Sequence, residues 1–307
     1  MNLYQTTLAK AVHLEGHGLH SGLKATIRIE PAPAGEGITF RRRDRGARTV
    51  KASAENVTAT ELSTCLGQGS DSIATVEHVL SALYGLAVDN ARVICSGPEV
   101  PILDGSSQPF VEGILDAGLV KLNAGRRYYV VKREFQMRDG ERFIKVEPHH
   151  RFAVKYGIDF ETSVIGRQTI EFTHSMSEYR KVALARTFCH RKDVEAMWQA
   201  GLARGGSLAN AVVVDDEKVL NEEGLRSNDE FVRHKLLDLI GDFALLQAPL
   251  VGKVTVEKGG HALHTRFVRE LMQYRKDLLA VVEPATSFAG EEEAAAANFE
   301  GMVAARV

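Results

Sequence analysis

The sequence contains few cysteines: only 3 of its 307 residues. They are odd in number, lie far apart and form no CxxC pair, which argues against a disulfide framework and against a thiolate zinc site. We therefore expect Cys65, Cys95 and Cys189 to be free thiols in a reducing compartment.

A long apolar run and a strong net charge are also missing. No stretch approaches the roughly twenty apolar residues that a membrane span requires, and the N-terminal MNLYQTTLAK lacks the apolar core and cleavage site of a signal peptide. We therefore predict a cytoplasmic protein without a membrane span. A net charge of -2 gives no broad basic surface, which argues against general nucleic-acid binding and leaves room for a small anionic ligand.

The pattern of the first half indicates strands followed by helices. Up to about residue 70, apolar and polar positions alternate, as in LKATIRIEPAPAGEGITFRR, which predicts antiparallel strands with a hairpin at GEG. The period then changes, and TVEHVLSALYGL predicts a helix from Thr75 to Leu86. A strand, NARVICS, and a second helix from about Pro109 to Gly118 follow.

The second half repeats this order after a predicted connector at residues 121–130. Its strands, such as RFAVKYGIDFE, precede a helix from Glu230 to Leu246, the strand GKVTVEK and a helix, TRFVRELMQYRKDLL. VEHVLSAL and VRHKLLDL align without gaps at four identical positions, which suggests a duplication. We predict an α+β protein with an N-terminal half at 1–124, a C-terminal half at 125–286 and a flexible acidic tail at 287–307.

The repeated helices carry candidate metal ligands. His234 and Asp238 lie four residues apart, so they project from one helix face, although such a pair is more often only hydrogen-bonded. If the halves pack about a pseudo-two-fold axis, His78 completes a group of two imidazoles and one carboxylate. Three protein ligands leave a fourth zinc position open for water, so we predict one catalytic zinc ion, with Glu77 beside it as general base.

Other features of these segments are less specific. Ala82 takes the place of the second histidine of an HExxH motif, which excludes a zincin helix. Adjacent helical residues point about 100° apart, so we expect only one of Glu77 and His78 to face the core. His261 follows two glycines in a predicted loop, where it is either simply exposed or a charged acid supported by Asp242, itself otherwise a surface carboxylate.

Several long motifs, taken in chain order, resemble one family. They run from GHGLHSG at residues 16–22 to GGHAL at residues 259–263, through TELSTCL, TVEHVLSAL, EVPILDGSSQPF, GIDF, ARTF, NAVVVDDEKVLNEEGLR and DEFVRHKLLDLIGD. The chain closely resembles the zinc-dependent UDP-3-O-acyl-N-acetylglucosamine deacetylases of lipid A synthesis. The resemblance implies removal of the N-acetyl group from an acylated UDP-glucosamine, with release of acetate.

The resemblance also implies roles for individual residues and a fold. For the chemistry it implies that His78, His234 and Asp238 are zinc ligands. It implies that Glu77 is the base and His261 the charged acid. Asp242 would support His261, and Thr187 would donate a hydrogen bond to the oxyanion. For the acylated UDP-sugar it implies contacts from Leu19, His20, Arg142, Asp159, Phe160, Phe188, Lys235 and Lys258. Leu19 would begin an acyl passage that a segment inserted at residues 188–213 would finish. The implied fold is two similar halves, each a sheet on two helices, layered helix face to helix face as a β-α-α-β sandwich.

Alternatives remain open at this point. A noncatalytic nucleotide-sugar or lipid-binding protein with a structural metal is disfavoured, because structural zinc sites usually close with four protein ligands. An enzyme without metal would use Glu77 and His261 as an acid and base pair. Ferrous iron suits imidazole and carboxylate ligands as well as zinc does. We expect a monomer that acts on a small molecule and not on nucleic acid.

Overall fold

The computed structural model describes residues 2–46, 48–161 and 164–284, together with residues 301, 304 and 305. Nearly all of the predicted tail at 287–307 lies outside the described residues, so its flexibility stays a prediction. In the N-terminal half the helices are α1 (Glu77–Gly85) and α2 (Gln108–Ala117). The strands there are β1 (Tyr4–Leu8), β2 (Val12–His17), β3 (Lys24–Pro31), β4 (Ile38–Arg42), β5 (Thr49–Lys51), β6 (Val57–Ala59), β7 (Cys65–Leu66), β8 (Ala91–Cys95) and β9 (Leu119–Gly125).

The C-terminal half repeats the central order of four strands, a helix, a strand and a helix, with additions. Its strands are β10 (Tyr128–Val131), β11 (Phe135–Asp139), β12 (Arg142–Glu147), β13 (Phe152–Asp159), β14 (Arg167–Thr173), β15 (Phe188–His190), β16 (Val212–Val214), β17 (Leu250–Glu257) and β18 (Leu279–Val282). Its helices are α3 (Met176–Ala183), α4 (Arg191–Gln199), α5 (Glu230–Phe243), α6 (His261–Gln273) and α7 (Arg275–Leu278). The additions are α3, α7 and a segment between β14 and α5 that contains β15, α4 and β16.

The two main sheets share one topology. In the first, the strand order is β2-β3-β8-β4-β5, where only the β8-β4 pair is parallel. In the second, the order β11-β12-β17-β13-β14 has its one parallel pair at the equivalent place, β17-β13. Strands β10 and β18 extend the second sheet. The α+β class with two similar halves is therefore confirmed, and the repeat extends from the two helices to both sheets.

The helices of the two halves pack together between the sheets. Helix α1 contacts α5, α2 contacts α1, and α6 contacts α5, while α2 contacts β2 of the first sheet and α5 contacts β13 and β14 of the second. One hydrophobic core continues through both halves, with Val79, Leu80 and Leu83 of α1 and Leu236 and Leu239 of α5 fully buried. The beginning of α1 and the middle of α5 are thereby held against each other.

Gly241 of α5 allows this close helix contact. A Cβ atom at this position would overlap the backbone carbonyl oxygen of Glu77. We expect Gly241→Ala to lower the free energy of unfolding by about 1–3 kcal/mol, because the two backbones must separate to admit the methyl group. Chemical denaturation measures this change. Gly97→Ala is the control, because a Cβ there meets no atom within 4 Å; equal stability of the two variants would contradict tight α1-α5 packing.

Two details of the first half differ from prediction. The hairpin expected at GEG is wrong, because β8 lies between β3 and β4 and pairs with both. The connector expected at residues 121–130 is largely β9 and β10. Strand β9 runs from Leu119 to Gly125 and pairs with β1. The expected division at 124/125 therefore falls inside a strand, and the two ranges stay predictions. Within the described ranges, no helix is long and apolar enough to span a bilayer.

Candidate active site and metal centre

The beginning of α1 and the middle of α5 bring three candidate ligands together. Nε2 of His234 lies 3.4 Å from Oδ1 of Asp238, and Nε2 of His78 lies 3.8 Å from the same oxygen. The two imidazole rings meet edge to face at 82°, with their centroids 5.1 Å apart. One ligand atom from each of the three residues lies within 4.8 Å of the others, and all three residues are buried. The helices therefore hold two ring nitrogens and one carboxylate oxygen around a common point.

This group fits a divalent cation. Nδ1 of His234 donates to the carbonyl oxygen of Ala185 at 3.1 Å, which directs the lone pair of Nε2 toward Asp238. Oδ1 of Asp238, the oxygen that faces both imidazoles, is buried and has no hydrogen-bond partner in the part of the chain that the structure describes. A buried polar atom without a partner is costly unless a ligand satisfies it. Imidazole and carboxylate donors suit zinc or ferrous iron.

The charges of the three side chains also suit a cation. Burial lowers the pKa of His78 to about 3 and lowers that of His234, so both rings are neutral at pH 7 and can act as ligands. Burial would raise the pKa of Asp238, but attraction to His234, once that ring is protonated at low pH, and to Lys235 and His261 outweighs burial and holds the pKa well below its usual range. Nζ of Lys235 lies 2.9 Å from the other carboxylate oxygen, Oδ2. Asp238 is therefore ionised.

Glu77 lies beside the candidate ligands and is 3% exposed. Its Oε2 accepts a hydrogen bond from the backbone N–H of Thr64 at 3.0 Å, and its Oε1 lies 3.8 Å from Nε2 of His261. Burial raises the pKa of Glu77 to about 7. The expectation that only one of Glu77 and His78 faces inward is wrong, because every residue of α1 except Tyr84 is buried between the other layers.

His261 is the first residue of α6 and does not lie in a loop. The sequence-based prediction placed the start of this helix four residues too late, because Gly260, at the position before the helix, offers no capping side chain that would mark the start. His261 is 8% exposed, so it is not simply a surface histidine. Burial alone would lower its pKa, but the carboxylates of Asp242, Asp238 and Glu77 outweigh this effect and raise the pKa to about 10.

Asp242 fixes the orientation of the His261 ring. It is 0% exposed, which excludes the surface-carboxylate alternative. Its Oδ2 accepts hydrogen bonds from Nδ1 of His261 and Nδ1 of His264, each at 2.9 Å, and its Oδ1 accepts one from the hydroxyl of Thr64 at 2.6 Å. Tyr156 in turn lies 3.0 Å from Nε2 of His264. The histidine ring is therefore fixed by a buried network.

Three members of this network were missed in the sequence. Thr64 lies in TELSTCL, which carries no periodic signal for a buried hydroxyl. Tyr156 reads only as an inward-facing strand residue. His264 could have been found, because it follows His261 by three residues and so lies on the same face of α6.

His78, His234 and Asp238 form the candidate metal group, and a cleft of about 990 Å³ opens over this metal group, Glu77 and His261. Seven of the eight residues expected to contact substrate line it, together with the predicted oxyanion donor: Leu19, His20, Arg142, Asp159, Phe160, Phe188, Lys235 and Thr187. Lys258 is not among the described residues that line the cleft. Its Nζ lies 2.8 Å from Glu141 and 3.2 Å from Asp159, so it contacts the cleft through the latter.

The inserted segment at residues 188–213 forms one end of this cleft. Strand β15 lies at the beginning of this segment and β16 lies at its end, and the two strands pair in parallel. Helix α4 between them has no buried residue, and His190 caps its first turn by accepting from the N–H of Lys192 at 3.1 Å. Apolar side chains of the insertion line the cleft, which the sequence did not assign individually: Val194, Met197, Trp198, Leu208 and Ala211.

Comparison with known proteins agrees with this geometry. A model of the LpxC family, described as UDP-3-O-acyl N-acetylglycosamine deacetylase, matches residues 5–273. The chain belongs to this family. The resemblance inferred from the sequence motifs is thereby confirmed, and as an LpxC family member the chain is a metalloenzyme of the hydrolase class.

Individual LpxC relatives align over most of their length. UDP-3-O-acyl-N-acetylglucosamine deacetylase of Anaeromyxobacter dehalogenans (strain 2CP-C) is 48% identical over 269 residues, or 87% of each chain. The enzyme of the same name from Acidithiobacillus ferrooxidans (strain ATCC 53993 / BNL-5-31) is 47% identical over 272 residues, covering 87% of this chain and 90% of that protein. The one from Geotalea uraniireducens (strain Rf4) is 44% identical over 283 residues, covering 91% and 92%.

Proposed function

We propose that this chain hydrolyses the N-acetyl group of UDP-3-O-(hydroxyacyl)-N-acetylglucosamine and releases acetate, the committed step of lipid A biosynthesis. The observation that carries the proposal is the buried group of His78, His234 and Asp238, with Glu77 beside it, at the base of a large cleft in an LpxC family member. Amide hydrolysis requires a polarised carbonyl, a base and an acid, and the group provides a place for each.

We propose zinc as the metal, held by the two imidazoles and Asp238. When bound, zinc acts as a Lewis acid that polarises the amide carbonyl and lowers the pKa of water. Support comes from the three-ligand donor set and from the unpartnered Oδ1 of Asp238. Ferrous iron has the same ligand preferences and remains the alternative metal.

Glu77 and His261 are proposed to move the protons. With a pKa raised to about 7 by burial, Glu77 accepts a proton from the attacking water near neutral pH. His261, whose pKa is raised to about 10, is protonated at that pH and donates its proton to the departing amine nitrogen. Asp242 holds its ring in place. The hydroxyl of Thr187, which lines the cleft, donates to the developing negative charge.

The rest of the cleft is proposed to hold the UDP and the acyl chain. Phe160 is 39% exposed, and its ring offers a face for the uracil base. Arg142 and Lys235 line the cleft and provide positive charge near the diphosphate, and Lys258, which is paired with the cleft residue Asp159, adds a further positive charge nearby. The apolar end formed by the insertion suits the acyl chain. Leu19 lines the same cleft and is proposed to mark the start of that passage.

The test is acetate release from two substrates. Purified protein is incubated with the 3-O-acyl UDP-sugar and with UDP-N-acetylglucosamine, which lacks the acyl chain. We expect acetate from the acylated substrate and much less from the other. Binding of both sugars without acetate release would instead support the noncatalytic nucleotide-sugar protein, and equal turnover of both would remove the acyl passage from the proposal.

Removal of the metal is expected to abolish turnover. A chelator should eliminate acetate release, and zinc at about one equivalent should restore it, because the Lewis acid is required for attack. Asp238→Asn should contain far less zinc than the wild type by elemental analysis, whereas Asp116→Asn, an exposed aspartate on α2, is the control. Full activity after verified metal removal would support the metal-free acid and base pair.

A monomer in the cytoplasm completes the proposal. The site supports the monomer, since the candidate ligands, the candidate base and the candidate acid meet within one chain. Light scattering of the purified protein measures the oligomeric state. A stable dimer would contradict this part of the proposal and leave the chemistry unaffected.

A further inference from the structure

We propose that Glu99 is a positioning residue, which fixes the loop at residues 18–22 and so determines how the enzyme binds the acylated substrate. The inference rests on the deacetylase function proposed above. Leu19 and His20 of this loop line the cleft, whereas Glu99 is not among the described residues that do so. Glu99 would therefore act through the loop and not by touching substrate.

The carboxylate of Glu99 is buried and is surrounded by hydrogen-bond donors. Glu99 is 3% exposed. Oε1 accepts from the backbone N–H of His20 at 2.8 Å and from the hydroxyl of Thr75 at 3.1 Å, while Oε2 accepts from the backbone N–H of Ser21 at 2.8 Å. Two consecutive backbone N–H groups directed at one anion form a nest, and such charge-assisted bonds are the stronger kind.

The loop closes tightly around this carboxylate. The N–H of Gly18 donates to the carbonyl oxygen of Leu23 at 2.9 Å, and that of Gly22 donates to the carbonyl oxygen of Gly18 at 3.0 Å. A Cβ atom on Gly18 would overlap both Oε2 of Glu99 and the hydroxyl of Ser21. The glycine is needed because the carboxylate occupies the space where a side chain would lie.

The other side of the loop rests on the inserted segment. The N–H of Gly205 donates to the carbonyl oxygen of Leu19 at 2.9 Å, and the N–H of Arg204 donates to that of His20 at 3.2 Å. A Cβ atom on Gly205 would overlap the carbonyl oxygen of Gly18. The loop is thus clamped between Glu99 and the segment that forms the apolar end of the cleft.

Displacement of the loop would affect substrate binding more than chemistry. It would move Leu19 and His20 together, and Nε2 of His20 is a buried atom with no partner within the described residues, available to a ligand. The metal group and Glu77 lie on α1 and α5, which pack directly against each other. We therefore expect a substitution at Glu99 to raise KM for the acylated substrate, with little change in kcat.

Glu99→Gln tests this with almost no change in size. All three partners of the carboxylate are donors, so an amide NH2 in place of one oxygen faces a backbone N–H and leaves a buried donor unpaired. We expect kcat/KM for the acylated substrate to fall about tenfold or more, through KM. The kcat, the zinc content and the slow turnover of UDP-N-acetylglucosamine should stay near the wild-type values. Glu171→Gln, at an exposed position of β14, is the control.

Gly205→Ala provides a second measurement if Glu99→Gln does not fold, because it displaces the same loop from the opposite side. The same selective rise in KM in either variant supports the proposal. Unchanged KM in folded Glu99→Gln, or an equal loss with both substrates, overturns it. Absence of acetate from the wild-type enzyme in the same assay refutes the proposed function itself, which separates the two failures.

Discussion

Glu77→Gln is expected to lower kcat for acetate release by about 10²–10⁴-fold while the zinc content stays at the wild-type level. The amide can still accept a hydrogen bond from the N–H of Thr64 through its oxygen, so the side chain keeps its place. It cannot accept a proton from water. The loss therefore measures proton transfer and not a change in structure.

Kinetics and metal analysis together check this result. Steady-state acetate release gives kcat and KM, elemental analysis gives the zinc content, and circular dichroism verifies the fold. Glu55→Gln, at an exposed position, is the matched control and should have wild-type kcat. Loss of zinc in Glu77→Gln would mean that Glu77 supports the ligands, and retention of full kcat would exclude it as the base.

Arg186→Met is expected to have the largest effect on stability, lowering the free energy of unfolding by about 3–5 kcal/mol. The Arg186 side chain is 2% exposed, and its Nε lies 2.8 Å from Oε1 of Glu230, whose side chain is 0% exposed. Glu230 is the first residue of α5, the helix that carries His234 and Asp238. Removal of the guanidinium leaves a buried carboxylate without its cation, at the start of the helix that forms the metal group.

The same arginine provides an internal control. Its Nη1 lies 2.7 Å from Oε1 of Glu223, whose side chain is 58% exposed. Glu223→Gln breaks this exposed pair and should cost at most about 1 kcal/mol. Urea denaturation of both variants compares a buried and an exposed partner of one guanidinium. Equal losses would contradict the assignment of the stabilisation to the buried pair.

The pH dependence of the Arg186 effect has a definite sign. Burial tends to raise the pKa of Glu230, but hydrogen bonds from Arg186 and from the N–H of Arg226 outweigh it, so the folded-state pKa is lowered. A lowered carboxyl pKa contributes stability that is present above the unfolded value of about 4.3 and is lost as pH falls through the folded value. The stability difference between wild type and Arg186→Met should therefore shrink below about pH 4.

Most signals that lie within one helix were read correctly from the sequence. The apolar spacing in TVEHVLSALYGL and EFVRHKLLDLIGDFALL predicted α1 and α5 to within two or three residues, and the four-residue spacing of His234 and Asp238 put both side chains on one face. The start of α6 was missed because Gly260 offers no capping side chain. Helical spacing and capping depend on neighbouring residues, which is why a short window contains them.

Contacts between segments that lie far apart in the sequence could not be predicted from short sequence windows. The hairpin expected at GEG does not form, because β8, from a later segment, lies between β3 and β4 and pairs with both. The same packing buried both Glu77 and His78, and it brought Thr64, from a segment without periodicity, against Asp242. Glu99 likewise faces the loop at residues 18–22 across about eighty positions of sequence.

The sequence by itself determined the two site helices α1 and α5, many of the strands, the duplication, the family and the identity of the candidate ligands. The tertiary structure decided which of these residues meet, how deeply they are buried and therefore how their protons are held. Local conformation follows from the sterics and hydrogen bonding of adjacent residues. Desolvation raises the pKa of Glu77, whereas the carboxylates of Asp242, Asp238 and Glu77 outweigh desolvation and raise that of His261. Only the packing of α1, α5 and α6 brings those charges within reach.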